Sequence, residues 1–123
     1  MLQRAFINIL SARPDETASF YEKLLGARRS FTSGWFVVLT HPRRPDWEMG
    51  ILDRSHETVP ADLAAAPAGI ILTFVVEDVE ACHLKAIELG AEIIAQPTDM
   101  AYGQRRMLIR DPDGSTVDIS ALI

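Results

Sequence analysis

The chain has 123 residues, 48% of them apolar and 24% charged, with a net charge of −5 and a single cysteine, Cys82. One domain of ordinary globular composition fits this size, and a disordered or fibrous chain is excluded. An acidic balance with its arginine pairs scattered at 28/29, 43/44 and 105/106 excludes a basic face for nucleic acid or anionic lipid, and a lone cysteine excludes an internal disulfide.

Residues 3–10, QRAFINIL, alternate as a strand, with Phe6, Asn8 and Leu10 on one face and Ala5, Ile7 and Ile9 on the other. Asn8 is the odd polar residue on its side. Pro14 followed by Asp15 and Glu16 opens a helix that runs to Leu25 and stops at Gly26. Proline suits the first turn and acids suit its positive end. The expected apolar stripe is Ala18, Tyr21, Leu24 and Leu25, with Phe20 at its edge. Strands are expected at 28–33, 35–41 and 47–53, separated by Ser33-Gly34 and by the turn-rich HPRRPD at 41–46. Residues 54–69 contain Pro60, Ala64 to Ala66, Pro67 and Gly69 and read as a connection, so a linker is placed at about 57–68.

The same order then returns. GIILTFVV at 69–76 reads as a strand, Val79–Leu89 as a helix stopped by Gly90, AEIIA at 91–95 and RRMLIR at 105–110 as strands, and STVDISAL at 115–122 as the closing strand. LLGA at 24–27 and ELGA at 88–91 mark the same helix end, 64 residues apart. A repeat of this size predicts an α+β fold of paired βαβββ modules, module 1 at about 1–56 and module 2 at about 69–123, within a single domain over 1–123. Each module's helix covers one sheet face and leaves the other bare, so the expected result is a curved mixed sheet around a cavity lined by both modules.

Several residues have structural readings. Cys82 shares helical spacing with Val79, Ala86 and Leu89, which predicts a buried thiol and no nucleophile. His41 ends a strand, His56 falls in a loop and His83 lies on a helix, and none pairs with an acid or base by spacing. DPDG at 111–114 is a turn. The longest apolar run, GIILTFVV, is far short of the roughly 18 to 20 residues that span a bilayer, and MLQRAFINIL lacks a signal-peptide pattern. A cytoplasmic location without membrane or nucleic-acid partners is the expectation.

FYEKLLGA at 20–27, FVVEDVEACHLKAIELGAEI at 74–93, YGQRRMLIRDPDG at 102–114 and the closing STVDI together resemble the vicinal oxygen chelate superfamily, which includes glyoxalase I, bleomycin-resistance proteins and extradiol dioxygenases. The resemblance implies a metal held by His and Glu side chains from the first and last strand of each half. The matching positions here offer Phe6 or Asn8, Glu48, Ile71 or Thr73, and Asp118. Phe and Ile have no lone pair to donate, and a divalent site needs three or four N, O or S ligands, so no metal and no other cofactor is expected.

The resemblance therefore implies a protein of the bleomycin-resistance type, a homodimer that binds a small organic molecule in its cavity. The alternative is a divalent-metal-dependent lyase, isomerase or dioxygenase with Asp118 or Glu48 as base. Whether a reaction is catalysed stays open, and no catalytic residue is assigned. The ligand-binding candidates are Asn8, Trp35, Trp47, Tyr102, Arg106 and Asp118. Aromatic walls with a few fixed polar groups are what a small-molecule pocket needs. Asn8 and Asp118 are expected on cavity-side strand faces, where Asp118 would orient a polar or cationic ligand. If Met107 and Ile109 pack beneath the helices, Arg106, Leu108 and Arg110 share the opposite face, so Arg106 is preferred to Arg105 as a partner for an acidic ligand.

Overall fold

A computed structural model describes residues 1–123. Strand β1 (Ile7–Ser11) leads into α1 (Pro14–Leu25), β2 (Arg28–Thr32), β3 (Phe36–His41) and β4 (Arg44–Asp53). A 3-10 turn at Ala61–Leu63 precedes β5 (Ile71–Val75), α2 (Val79–Glu88), β6 (Ile93–Met100), β7 (Gln104–Arg110) and β8 (Thr116–Leu122). The fold is α+β, a βαβββ run made twice. Each run forms its own four-stranded mixed sheet, ordered β1-β4-β3-β2 and β5-β8-β7-β6, and neither sheet closes on itself. First and last strands pair in parallel in both, and the remaining pairs are antiparallel. The chain divides into two compact units, Met1–Pro67 and Ala68–Ile123.

In the first unit α1 packs on β2, β3 and β4. Pro14 opens it, Asp15 and Glu16 occupy its first turn, and Gly26 closes it at φ +73° with its N–H donated to the Glu22 carbonyl at 2.9 Å. That left-handed conformation is one a side chain resists, which is why the helix stops there. Its buried residues are Thr17, Ala18, Phe20, Tyr21 and Leu24, set over Ile9, Val37, Leu39, Met49 and Ile51. The expected stripe is corrected at both edges: Phe20 belongs to the core and Leu25 is only half-buried. Each such apolar side chain stabilises the fold by roughly 1.5 to 3 kcal/mol when fully withdrawn from water. His41 is structural, with Nε2 3.0 Å from the Leu25 carbonyl.

In the second unit α2 packs on β6, β7 and β8. Asp78 caps it by accepting the Ala81 N–H at 3.2 Å. Val79, Cys82 and Ala86 are buried with Met107, Ile109, Val117 and Ile119. Burial pushes the Cys82 thiol above its usual pKa, the opposite of what a nucleophile needs. In the DPDG turn the Asp111 carboxylate accepts the N–H groups of Asp113 (2.9 Å) and Ser115 (3.0 Å), and Gly114 takes φ +86°.

Three strand limits differ from expectation. β1 begins at Ile7, so residues 3–6 precede it. β4 begins at Arg44, within the stretch expected as a turn. β6 runs from Ile93 to Met100 through Pro97, beyond the strand expected at 91–95. β6 is an edge strand with register shifts around Ala95 and Thr98, the setting in which a strand tolerates proline. No helix is long and apolar enough to cross a membrane.

Candidate functional site

The helix covers one face of each sheet, and strand alternation assigns the residues of the other. In the first unit Ile9, Met49 and Ile51 lie beneath α1, so Asn8, Gly50, Leu52, Phe36 and Val38 belong to the helix-free face, with Glu48 two residues before Gly50. Asn8 stands directly across from Gly50 in the β1–β4 register. Its amide oxygen occupies the space that a Cβ on Gly50 would fill, with the Phe36 ring edge 3.0 Å from the same point. Gly50 is therefore what lets the amide lie flat on the strand.

Glu48 is held by an arginine that the sequence reading had not used. Arg4 Nε donates to Glu48 Oε2 at 2.7 Å and Nη2 donates to Oε1, a two-pronged pair, while the guanidinium carbon sits 4.9 Å from the Phe6 ring centre. These hydrogen bonds, helped by the positive charge and opposed by partial desolvation, hold the Glu48 carboxyl below its ordinary pKa. An aromatic group forms at the far end of β3. Trp35 stacks on His56 with ring centres 3.7 Å apart at 9°, and on Phe36 at 5.8 Å and 27°. Phe31 meets Phe36 at 5.9 Å. Alternation along β4 puts Trp47 in step with Met49 and Ile51, not with Glu48 and Gly50.

In the second unit Val117, Ile119, Met107 and Ile109 are fully buried, so Asp118, Ser120, Arg106, Leu108 and Thr73 belong to the helix-free face. Asp118 is well supplied with donors. Thr73, its partner in the β5–β8 register, donates Oγ1 to Oδ2 at 3.2 Å, and Ser120 donates Oγ to Oδ1 at 3.1 Å. Arg106 approaches through Nε at 3.5 Å from Oδ2, with side-chain exposures of 26% for Arg106 and 13% for Asp118. The buried Nε has no hydrogen-bond partner. Arg105 points to the other side of the sheet, donating Nε to Glu80 and Nη1 to Asp99 at 2.9 Å. Tyr102 sits in the β6–β7 turn, 62% exposed.

The structure thus brings Asp118 and Arg106 together in one unit. In the other it puts Asn8 on the face shared with Phe36, which in turn stacks on Trp35. Arg4 and Gly50 join these sites without having been offered as candidates from sequence, while Thr73 was offered only as a metal position and His56 only as a loop residue. Only Gly50 left a local signal, a glycine inside a strand, which marks close approach of another group.

A divalent metal does not fit this donor set. Phe6 and Ile71 carry no donor atom and Glu48 is held by both prongs of Arg4, which leaves Asp118 as the one carboxylate of the set. Within neither unit do three or more His, Cys, Asp or Glu side chains converge.

The profile of the Glyoxalase/Bleomycin resistance protein/Dioxygenase superfamily matches residues 4–119. Among solved structures, a glyoxalase/bleomycin resistance protein/dioxygenase family enzyme from Burkholderia phytofirmans PsJN is similar at a TM-score of 0.80 and 21% identity, over 96% of this chain and 97% of that one. A superfamily member from Sphaerobacter thermophilus DSM 20745 is similar at 0.77 and 19%, over 98% of each chain. TioX from Micromonospora sp. ML1 is similar at 0.71 and 16%, over 98% and 97%. At these identities the likeness establishes the fold. No curated protein sequence matches.

Proposed function

The chain belongs to the Glyoxalase/Bleomycin resistance protein/Dioxygenase superfamily, and from that premise we propose that it binds a small organic molecule on the helix-free faces of its sheets without using a catalytic metal. The observation that carries this reading is the state of the two carboxylates. Glu48 and Asp118 stand where the superfamily resemblance wants metal ligands, and each is engaged by an arginine of its own unit. A carboxylate beside a guanidinium would have to give up that pairing to take a metal, and as it stands it offers a polar wall to an organic molecule. Asn8, Trp35 and Trp47 are the proposed ligand-binding residues of the first unit, and Tyr102, Arg106 and Asp118 those of the second. The protein works as a cytoplasmic homodimer in this reading, with no nucleic acid or membrane partner. Exposed Ile7, Ile71, Val75 and Leu122 on strands of both sheets support association with a second copy.

Thermal unfolding against a small-molecule library and against Zn, Ni, Mn and Fe(II) salts tests the proposal, since a ligand stabilises only once it exceeds its dissociation constant. Organic compounds that raise the melting temperature, with metals leaving it unmoved, are the expected result. A rise of many degrees with micromolar metal alone overturns it.

A further inference from the structure

Arg29 and Arg106 are buried to a similar degree, with side-chain exposures of 20% and 26%, and are treated in opposite ways. Arg29 donates Nε to Glu22 at 2.8 Å, Nη1 to Asp15 at 2.7 Å, and Nη2 to the Asp15 carbonyl and the Ser19 hydroxyl at 3.1 Å each. Arg106 has only the 3.5 Å approach to Asp118, and its Nε–H, shielded from water, donates to nothing. A buried donor without an acceptor is costly, and such groups in native proteins call for a specific explanation. The neighbouring acceptor does not supply one. Both oxygens of Asp118 are already served by Thr73 and Ser120, so its carboxylate is stabilised without a full hydrogen bond from Arg106.

We infer that the Nε edge of Arg106 is the anchor for an organic carboxylate, so that the ligand is a small organic acid and not a cation. The inference rests on the binding function proposed above and deepens it. A guanidinium presents its Nε–H and one Nη–H as a parallel fork whose spacing matches the two oxygens of a carboxylate. The atom left unpartnered here belongs to that fork. On the helix-free face Arg106 stands across from Ser120 on one side and Thr98 on the other, with Leu108 two residues along the strand. The Ser120 and Thr98 hydroxyls are taken by Asp118 and by the Gln96 carbonyl, so an acid with an apolar body would meet the aliphatic surface of Leu108 beside the guanidinium. Repulsion from Asp118 is blunted by its two hydroxyl donors. The expectation of a cationic ligand oriented by Asp118 gives way on the same ground, since that carboxylate is committed inside the protein.

The test titrates the intact protein with benzoate, benzyl alcohol and benzylamine, matched in ring and differing in head group, by calorimetry and by the NMR signal of the Arg106 Nε–H. Benzoate is expected to bind more tightly than the other two and to shift that signal. Arg106→Lys keeps the charge and loses the fork, and is expected to weaken benzoate about ten-fold or more while leaving benzyl alcohol unchanged. The NMR signal of the unaltered protein decides the matter should the variant fold poorly. Benzyl alcohol or benzylamine binding as well as benzoate, with the Nε–H signal unmoved, overturns the carboxylate inference and leaves small-molecule binding standing. Failure of all three probes to bind overturns the inference and counts against the binding function as well.

Discussion

The two modules share a strand order, a parallel pairing of first and last strands, and a helix on one face, yet they treat the carboxylate of the last strand differently. Glu48 in the first is locked by both prongs of Arg4, an arginine that lies outside the sheet and is itself 59% exposed. Asp118 in the second is held by two hydroxyls from its own sheet, and the arginine beside it is left with an unfilled donor. One scaffold thus carries one saturated pair and one unsaturated pair. A saturated pair has little left to offer a ligand, whereas an unsaturated one is completed by it. Scaffold similarity therefore says little about chemistry, which resides in how each polar group is satisfied.

The comparison supposes that the two sheets are built equally well beneath their helices, and core truncations test this most severely. Ile51 in β4 and Ile119 in β8 are both fully buried. Ile51→Ala and Ile119→Ala should each cost about 2 to 5 kcal/mol by urea denaturation. A loss confined to one of them would mean that one module carries the stability and the other is an appendage.

A second difference concerns Asn8. The Gly50→Ala side chain would land on the Asn8 amide and near the Phe36 ring, so the substitution should destabilise by roughly 1 to 3 kcal/mol. Combining it with Asn8→Ala removes the obstructing amide and should recover a good part of that loss, a coupling that a double-mutant cycle measures. Additive effects would show that Asn8 moves aside freely and is not held on its strand by the glycine.

Much of the scaffold was legible in the sequence, and the reason is local. Pro14, Asp15, Glu16 and Gly26 each carry a meaning for a helix end that holds whatever lies across the sheet, and helix α1 runs between them as read. β6 was read as 91–95 only, and the strand continues through Pro97 because it lies at the sheet edge, where a missing N–H is tolerated. The faces of β7 and β8 followed from alternation, which separated Arg106 from Arg105. What alternation could not supply was partnership. Arg4 and Glu48 are 44 residues apart, Thr73 and Asp118 are 45 apart, and His56 meets Trp35 from a loop. Such pairs depend on register between strands distant in sequence, which no local pattern encodes.

The contrast between filled and unfilled arginines predicts a smaller stability difference. Arg29→Met removes a guanidinium with four hydrogen bonds and strands the half-buried Glu22 carboxylate, and should cost about 1 to 2 kcal/mol. Arg106→Met removes the 3.5 Å approach to Asp118 and a donor with no acceptor, and Asp118 keeps both hydroxyl donors, so its cost should fall below that of Arg29→Met. Equal losses in chemical denaturation would mean that Arg106 is structurally committed after all.

The smallest expected effect belongs to the saturated pair and appears only in acid. Arg4 holds Glu48 below its ordinary pKa in the folded chain, so the unfolded chain takes up the Glu48 proton first as pH falls. The pair's contribution is present in full above the unfolded glutamate value of about 4.3 and is lost as pH drops through the lower folded value. Glu48→Gln cannot titrate at this position. The wild type should therefore lose melting temperature more steeply than Glu48→Gln below about pH 4, with the two curves running parallel above it. Salt should shrink the difference, because Arg4 is largely exposed and its charge is screened. Parallel curves throughout the acid range would mean that the Arg4–Glu48 fork does not persist in solution, and Arg4 would then resemble Arg106 as a guanidinium open to a ligand.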